Sequence, residues 1–359
     1  MNLSIVDQIL IGCQIPAVLL FLFFLYSYAK RYGMGDHIGS ISPQYYPPKG
    51  LTLLQSGLIY DKFADKRDFS AAILELAQDG YLEIFDKEGD TNPYSKNNHK
   101  ETSLLGEEQK YILDNILFAN SDIHMLEKDS YTTKDISDHL DTVNEMLYRW
   151  TVANGYMHKN PSKLRDTYLN IAMLAMLPLV LLSVYLSYKI YGFEETIKLF
   201  MGSIFIFLGL LVTVAALMKQ GYVLALFGAT WMSFSIWGVF YTTKADAYII
   251  YTPVVIFPLL VTTIWYFFRK IGPFTQKGLD AYRHLLGYRE FIKKAEKDKM
   301  QHLLKEDPFF LDKILPYAIL FDLTKHWLNF YSILDADKPT WYHGDIEHMD
   351  SLSKEEEWN

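Results

Sequence analysis

Five long stretches of this chain contain no Asp, Glu, Lys, Arg or His, and they constrain its fold more than any other feature. They cover residues 8–29, 167–188, 199–218, 220–243 and 247–268, so each is 20 to 24 residues long. A helix needs about 20 apolar residues to cross the hydrocarbon of a bilayer. A soluble core that buried all five would be too large for 359 residues. We therefore predict a polytopic α-helical membrane protein with about five transmembrane helices.

The charges beside these stretches predict the orientation. Asp7 precedes the first stretch and Lys30 and Arg31 follow it, and cytoplasmic flanks carry the excess of Lys and Arg. The N-terminus is therefore expected outside the cell membrane and the C-terminus in the cytoplasm. This orientation puts Lys163, Arg165, Lys219, Arg269 and Lys270 inside, and Lys189, Lys198 and Lys244 outside. The first stretch lacks an A-x-A cleavage site, so we expect it to remain as an anchor.

The alternation of apolar and charged segments divides the chain. We predict a transmembrane anchor helix at 1–31, a Pro-rich linker at 32–50 and a cytoplasmic domain at 51–165. A four-helix transmembrane bundle at 166–268 follows, then a cytoplasmic helical domain at 269–334. The tail at 335–359 is polar, lacks a period and ends in an acidic run, which predicts disorder.

The first cytoplasmic domain has the pattern of a small α/β module. Leucines at helical spacing predict a helix after residue 50, and a second helix stops at Gly80, a favourable C-terminal cap. The segment 81–85 alternates as a strand and 86–90 is typical of a turn. Two further helices are expected at 107–118 and 133–153. This order predicts a winged-helix-like domain.

The second cytoplasmic domain is basic. Residues 269–334 hold 12 Lys and Arg against 8 Asp and Glu. An amphipathic helical segment covers 278–305, where Gly287 is a candidate break, and Pro316 is expected to begin a second helix. Its possible lipid-surface contacts are Lys293, Lys294, Lys297 and Lys299. The apolar stripe beside these lysines is expected either on the inner leaflet or against the acidic first domain.

Several short motifs resemble a predicted membrane protein family of unknown function that includes YciQ. They are YPPKGL at 46–51, LAQDGYL at 76–82, TQKG at 275–278, GYREF at 287–291, AE at 295–296 and LPYA at 315–318. The resemblance implies a membrane architecture, with a bacterial inner membrane as the expected location, and no catalytic residues. Family members usually carry a large outer β-rich domain, whereas only residues 1–7 precede the first stretch here. The chain therefore resembles a short form or a fragment.

The residues also bear on chemistry and partners. Residues 32–165 carry 14 Lys and Arg against 21 Asp and Glu, and the second helix displays Asp68, Glu75 and Asp79, so nucleic-acid binding is not expected. No nucleophile elbow, P-loop or zinc spacing occurs, and the one cysteine is Cys13. The metal-ligand residue types at 343–348 and the pair His284 and Glu290 are interpreted as solvated surface groups.

These observations predict no catalytic, cofactor-binding or metal site and favour a protein that is not an enzyme. We expect a non-enzymatic scaffold or signalling relay whose cytoplasmic domains contact an unknown protein partner, with membrane lipids as the other partner. A transporter or channel component is the first alternative, although the stretches hold no ionisable residue that would mark a pathway. A membrane-associated enzyme is the second.

Overall fold

The computed structural model describes residues 4–34, 38–63, 66–86, 93–125, 133–218, 222–243 and 247–344. The chain divides into two compact units. Met1–Gly35 and Ser162–Ile271 form the first, which we call the apolar unit. Asp36–Pro161 and Gly272–Asn359 form the second, which we call the α/β unit.

The apolar unit consists of five long helices. They are α1 (Ile5–Ala29, continued by a π-helical turn at Lys30–Met34), α6 (Pro161–Tyr191), α7 (Phe193–Met218), α8 (Tyr222–Thr243) and α9 (Pro253–Phe268). Four of them contain segments long and apolar enough to cross a membrane: Ile5–Gly33, Pro161–Tyr191, Phe193–Thr213 and Leu224–Tyr241. The predicted membrane architecture is thereby supported.

The fifth apolar stretch is divided in the structure. A 3₁₀ helix at Ala247–Tyr251 precedes α9, which has 16 residues. Thr252 is the N-cap residue of α9, with an extended backbone, and Pro253 occupies the first helical position. Proline favours this position because its fixed φ suits a helix start and no N–H is needed there.

Helices α1, α6 and α9 share one apolar core. Leu25, Tyr168 and Leu260 are fully buried in it. The Tyr168 hydroxyl donates to the carbonyl of Ile264 at 3.2 Å, which satisfies the one polar group of this side chain. Helices α7 and α8 pack on each other through Gly209 and Gly228, where an added Cβ would lie within 3.0 Å of backbone atoms of the facing helix. Small residues permit such close approach in membranes.

The α/β unit contains the remaining elements. Its helices are α2 (Leu53–Asp61), α3 (Lys66–Gln78), α4 (Glu107–Tyr111, continued by a π-helical segment at Ile112–Leu117), α5 (Thr133–Ala153), α10 (Gln276–Lys293), α11 (Lys297–Glu306), α12 (Phe310–Leu320) and α13 (Thr324–Leu334). Its strands are β1 (Leu82–Asp86), β2 (Tyr94–Asn97), β3 (Ile123–Met125) and β4 (Tyr342–Gly344), in the order β3-β2-β1-β4.

One hydrophobic core runs through the α/β unit. It joins Leu54 of α2 and Leu76 of α3 to Ile292 of α10, Leu315 of α12 and Trp327 of α13, all fully buried. The structure therefore places the segments 51–165 and 269–334, which the sequence analysis treats as two domains, around a common core.

Glycine caps end α3 and α5 as the sequence predicts for Gly80. Gly80 has φ +78°, and the N–H of Tyr81 donates to the carbonyl of Leu76 at 2.9 Å. Gly155 repeats this geometry with φ +70°, and the N–H of Tyr156 donates to Thr151 at 2.8 Å. A left-handed glycine satisfies the last carbonyls of a helix and turns the chain away from its axis.

Three further expectations differ from the structure. Gly287 lies inside α10 and does not break it, and Pro316 lies inside α12 and does not begin a helix. The disorder expected from residue 335 must be corrected for the segment that includes β4, because Trp341 and Tyr342 are buried and β4 pairs in parallel with β1. Residues 345–359 of the expected tail, and most of the turn expected at 86–90, lie outside the described residues.

Candidate functional site

Helix α10 begins beside the end of α5, and hydrogen bonds hold the two together. Thr275 caps α10, since its Oγ1 accepts from the N–H of Gly278 at 3.1 Å. The same hydroxyl donates to the carbonyl of Gly155 at 2.6 Å, and the N–H of Thr275 donates to Tyr156 at 3.0 Å. A Cβ on Gly278 would lie 2.0 Å from the carbonyl oxygen of Tyr156. Only glycine fits at this position.

The contact continues outward from the helix cap. Met157 and Phe274 form an antiparallel β-bridge, and the N–H of His158 donates to the carbonyl of Pro273 at 3.0 Å. Lys277 lies 4.1 Å from the centre of the Tyr156 ring. We call the paired segments 154–158 and 273–278 the clasp. In sequence, the first of them leads to α6 and the second follows α9.

A second segment lies along α10. The N–H of Gln44 donates to the carbonyl of Gly287 at 3.1 Å, and a Cβ on Gly287 would lie 2.1 Å from the carbonyl oxygen of Ser42. His284 donates through Nε2 to the carbonyl of Tyr46 at 2.8 Å. We call residues 42–48, which follow α1 in the sequence, the strap. The strap is the part of the predicted linker that is fastened to α10.

The opposite face of α10 is buried in the core of the α/β unit. Leu285, Tyr288 and Ile292 are at most 1% exposed. The Tyr288 ring lies 5.2 Å from the Tyr317 ring of α12, nearly at right angles to it. Of the two positions expected for the apolar stripe, the structure shows the one against the segment 51–165. The stripe does not lie free for insertion into a leaflet.

Three chain segments thus meet at α10, and each leads to a helix of the apolar unit. The strap follows α1, residues 154–158 precede α6, and residues 273–275 connect α9 to α10. Its remaining face packs on α2 and α12. A displacement of any of the three segments would therefore act on one helix and through it on the core.

A family model described as "Predicted membrane protein (DUF2207) C-terminal domain" matches residues 42–330. The chain belongs to this family. No curated protein and no solved structure gives a significant match. The DUF2207 match begins at the first residue of the strap and ends in α13, so α1 and β4 lie outside it. The chain is accordingly a membrane protein of a family without a known function.

Four of the short motifs that resemble the DUF2207 family lie on α10 or on segments that contact it. The motif at 46–51 overlaps the strap and lies on the helix that carries the motif at 287–291. The motif at 275–278 forms half of the clasp. In the motif at 315–318, the Tyr317 hydroxyl lies 3.3 Å from the Ser56 hydroxyl of α2. Most of these motifs therefore serve the assembly around α10.

The four lysines predicted to meet lipid are all exposed. Lys293 and Lys294 lie at the end of α10, and Lys297 and Lys299 lie in α11. Lys294 pairs with Glu290 at 2.9 Å, and this hydrogen bond holds the pKa of Glu290 below its usual value. Lys299 lies 4.0 Å from the centre of the Tyr45 ring in the strap. That these lysines contact lipid stays a prediction. The absence of a catalytic role for them stays a prediction as well.

A polar cluster that the sequence patterns above do not predict lies between α2, α3 and α4. Glu75 accepts hydrogen bonds from the N–H of Leu53, the first residue of α2, at 2.9 Å and from Nε2 of Gln109 at 2.8 Å. Glu108 accepts from Nε2 of Gln55 at 2.6 Å and from the Thr52 hydroxyl at 3.0 Å. Each carboxylate thus binds a glutamine side chain of another helix, and Glu75 also satisfies the α2 N-terminus.

Burial raises the pKa of Glu75 to about 7, and the nearby acids Asp79 and Glu108 act in the same direction. The hydrogen bonds from Leu53 and Gln109 only partly oppose this. The acidic surface expected on α3 is also reduced, because Asp68 is fully buried. A signal for the cluster was present in the sequence, since Thr52 and Gln55 have the spacing of a capping box.

The described residues interpreted above as solvated surface groups have specific partners in the structure. His284 binds the carbonyl of Tyr46, and Glu290 pairs with Lys294. His343 lies 2.9 Å from Glu83, while residues 345–348 of the same segment lie outside the described part. Within the described residues, no three His, Cys, Asp or Glu side chains are grouped as metal ligands.

Proposed function

We propose that this chain is a non-enzymatic membrane relay that also serves as a scaffold for a protein partner. The observation that supports it is that the strap and residues 154–158 are hydrogen-bonded to α10 or to its cap residue Thr275, while residues 273–275 lead from α9 directly into α10. In this proposal a change in the membrane helices shifts the strap or the clasp, and α10 passes the shift to α2 and α12. The partner reads the shift on the surface of the α/β unit.

The relay requires a defined arrangement in the membrane. We propose five crossings in a bacterial inner membrane, with the N-terminus outside and the α/β unit in the cytoplasm. Lys30 and Arg31 at the end of α1 support this orientation. The fifth crossing combines the 3₁₀ helix at Ala247–Tyr251 with α9, because 16 helical residues span only about 24 Å of a hydrocarbon layer about 30 Å thick. Helices α2 and α3 with β1 and β2 form the proposed winged-helix-like part.

Photo-crosslinking in living cells tests the proposal. Leu104, which is 89% exposed, suits the crosslinking residue because it is the most exposed large apolar side chain of the described α/β unit. We expect one main protein partner, identified by mass spectrometry, and a several-fold change in its yield when Gly287→Ala disturbs the strap. Recovery of no partner would reject the scaffold. An unchanged yield with a detached strap would reject the relay.

The lysine surface is expected to contact anionic lipid. In nanodiscs containing the full chain, amine labelling of Lys293, Lys294, Lys297 and Lys299 should be several-fold slower with anionic than with zwitterionic lipid, because each lysine gains up to about 1 kcal/mol near such a surface. The difference should vanish at about 0.5 M salt. Lys96 and Lys110 are exposed controls on the same unit. Equal labelling in both lipids would remove lipid contact from the proposal.

Duplex DNA is expected to bind weakly. The segment 32–165 has a net charge of −7, and binding to phosphates requires clustered cations. Fluorescence anisotropy with the full chain in detergent should show no saturable binding at physiological salt. A tight complex that weakens steeply with added salt would instead identify a nucleic-acid partner.

A further inference from the structure

The C-terminal segment completes the sheet of the α/β unit. Strand β1 pairs with β2 on one side in antiparallel orientation, and β4 occupies its other side in parallel orientation. The N–H of Ile84 in β1 donates to the carbonyl of Trp341 at 2.9 Å. Without β4, the edge of β1 would present unpaired backbone groups, which readily accept an added strand.

Side chains of β4 also contact side chains of β1. The Tyr342 hydroxyl donates to Asp86 at 2.8 Å, and His343 lies 2.9 Å from Glu83. The His343 ring also stacks on Phe85, with 4.4 Å between ring centres. A Cβ on Gly344 would lie 2.4 Å from the carbonyl oxygen of Asp86. The β1 edge therefore fits an aromatic residue, a basic residue and a glycine in that order.

Several features distinguish this segment from the strands of the core. β4 lies outside the DUF2207 match, which ends at residue 330, whereas β1, β2 and β3 lie within it. Residues 335–340, which connect it to α13, form no regular secondary structure. The indole N–H of Trp341 is buried without a hydrogen-bond acceptor among the described residues. A buried donor without an acceptor weakens the attachment of the segment.

We propose that the β1 edge is a binding site for an extended peptide, and that residues 341–344 are an intramolecular ligand that covers it. The partner is a protein segment that pairs in parallel with β1 and carries an aromatic residue, a basic residue and a glycine at the positions of Tyr342, His343 and Gly344. Backbone pairing supplies affinity in such strand addition, and the alternating side chains supply specificity. This site is separate from α10 and does not depend on the proposed relay.

Release of the segment tests the proposal. The full chain in detergent would carry Tyr342→Ala with Gly344→Val, or Trp341→Ala as a second variant, and a fluorescent peptide with the sequence of residues 338–344 would be the probe. We expect the released variants to bind the peptide about ten-fold or more tightly than the wild type, because the attached segment competes at high effective concentration. Equal binding by wild type and folded variants would overturn the proposal. So would exchange of the α3 and α12 amides at the unfolded rate in both variants, since the segment would then be part of the fold.

A charge exchange tests the specificity. A peptide with His343→Glu should lose about ten-fold or more in affinity for the released variant, because it places a carboxylate against Glu83. Adding Glu83→Lys to the released variant should restore the binding of that peptide and weaken the original one. Failure of the exchange to restore binding would show that the peptide does not occupy the position of β4.

Discussion

Replacing Gly287 by alanine is expected to destabilise the α/β unit, although the same change stabilises an ordinary helix by about 1 kcal/mol. The added Cβ would lie 2.1 Å from the carbonyl oxygen of Ser42, so the strap must move away from α10. The hydrogen bond from Gln44 to Gly287 and the packing of Tyr45 on Phe291 would be lost. We expect a loss of about 2 kcal/mol or more in the free energy of unfolding.

Urea unfolding in detergent and amide hydrogen exchange measure this effect. The amide of Gln44 should exchange much faster in Gly287→Ala than in the wild type. Gly238→Ala in α8 is the matched control, because nothing lies within 4 Å of an added Cβ there. Gly278→Ala should act like Gly287→Ala, since its Cβ would meet the carbonyl oxygen of Tyr156 at 2.0 Å. A gain in stability at Gly287 would show that the strap does not lie on α10.

Local patterns predict much of this fold. The absence of charge over about 20 residues is a property of each apolar stretch alone, so the long helices of the apolar unit follow from composition. Gly80 predicts the end of α3 because only a left-handed residue closes that cap without strain. The apolar positions of α10 predict a buried face, since a period of 3.6 places them on one side of a helix.

Contacts between distant segments could not be predicted in this way. Gly287 has the local signature of a helix break, yet its role is to let the strap approach, and that strap lies more than 230 residues earlier. Pro316 has the signature of a helix start but is held inside α12 by the surrounding core. The polar composition of the C-terminal segment does not predict β4, because this strand forms by pairing with the edge of β1 that β2 leaves open. Each of these outcomes is a tertiary effect that overrides a local preference.

The role of Glu75 in the polar cluster could not be predicted from the sequence either. Asp68, Glu75 and Asp79 repeat at helical spacing in the sequence and resemble an exposed acidic face of α3. In the structure Glu75 instead binds the N-terminus of α2 and Gln109 of α4. The role of this carboxylate depends on which helices cover it, and nothing in the spacing along α3 specifies them.

The stability of the α/β unit is expected to fall as the pH rises through 7. Glu75 has a pKa of about 7 in the folded chain against a usual value of 4.5, so the folded state binds the proton more tightly than the unfolded state. The stabilisation from this proton is complete below about pH 4.5 and is lost as the pH rises through about 7. A shift of this size corresponds to about 3 kcal/mol. The loss can be measured by urea unfolding of the full chain between pH 5 and pH 8, with hydrogen exchange of the α2 and α3 amides as the readout.

Glu75→Gln tests whether this one group causes the pH dependence. The amide oxygen of glutamine can still accept from the N–H of Leu53, but the side chain cannot ionise, so most of the slope between about pH 5 and pH 8 should disappear. Glu101→Gln is the matched control, because Glu101 is exposed and its replacement should leave the slope unchanged. A slope that persists in Glu75→Gln would assign the proton to another group, with Asp79 the first candidate, because burial also raises its pKa.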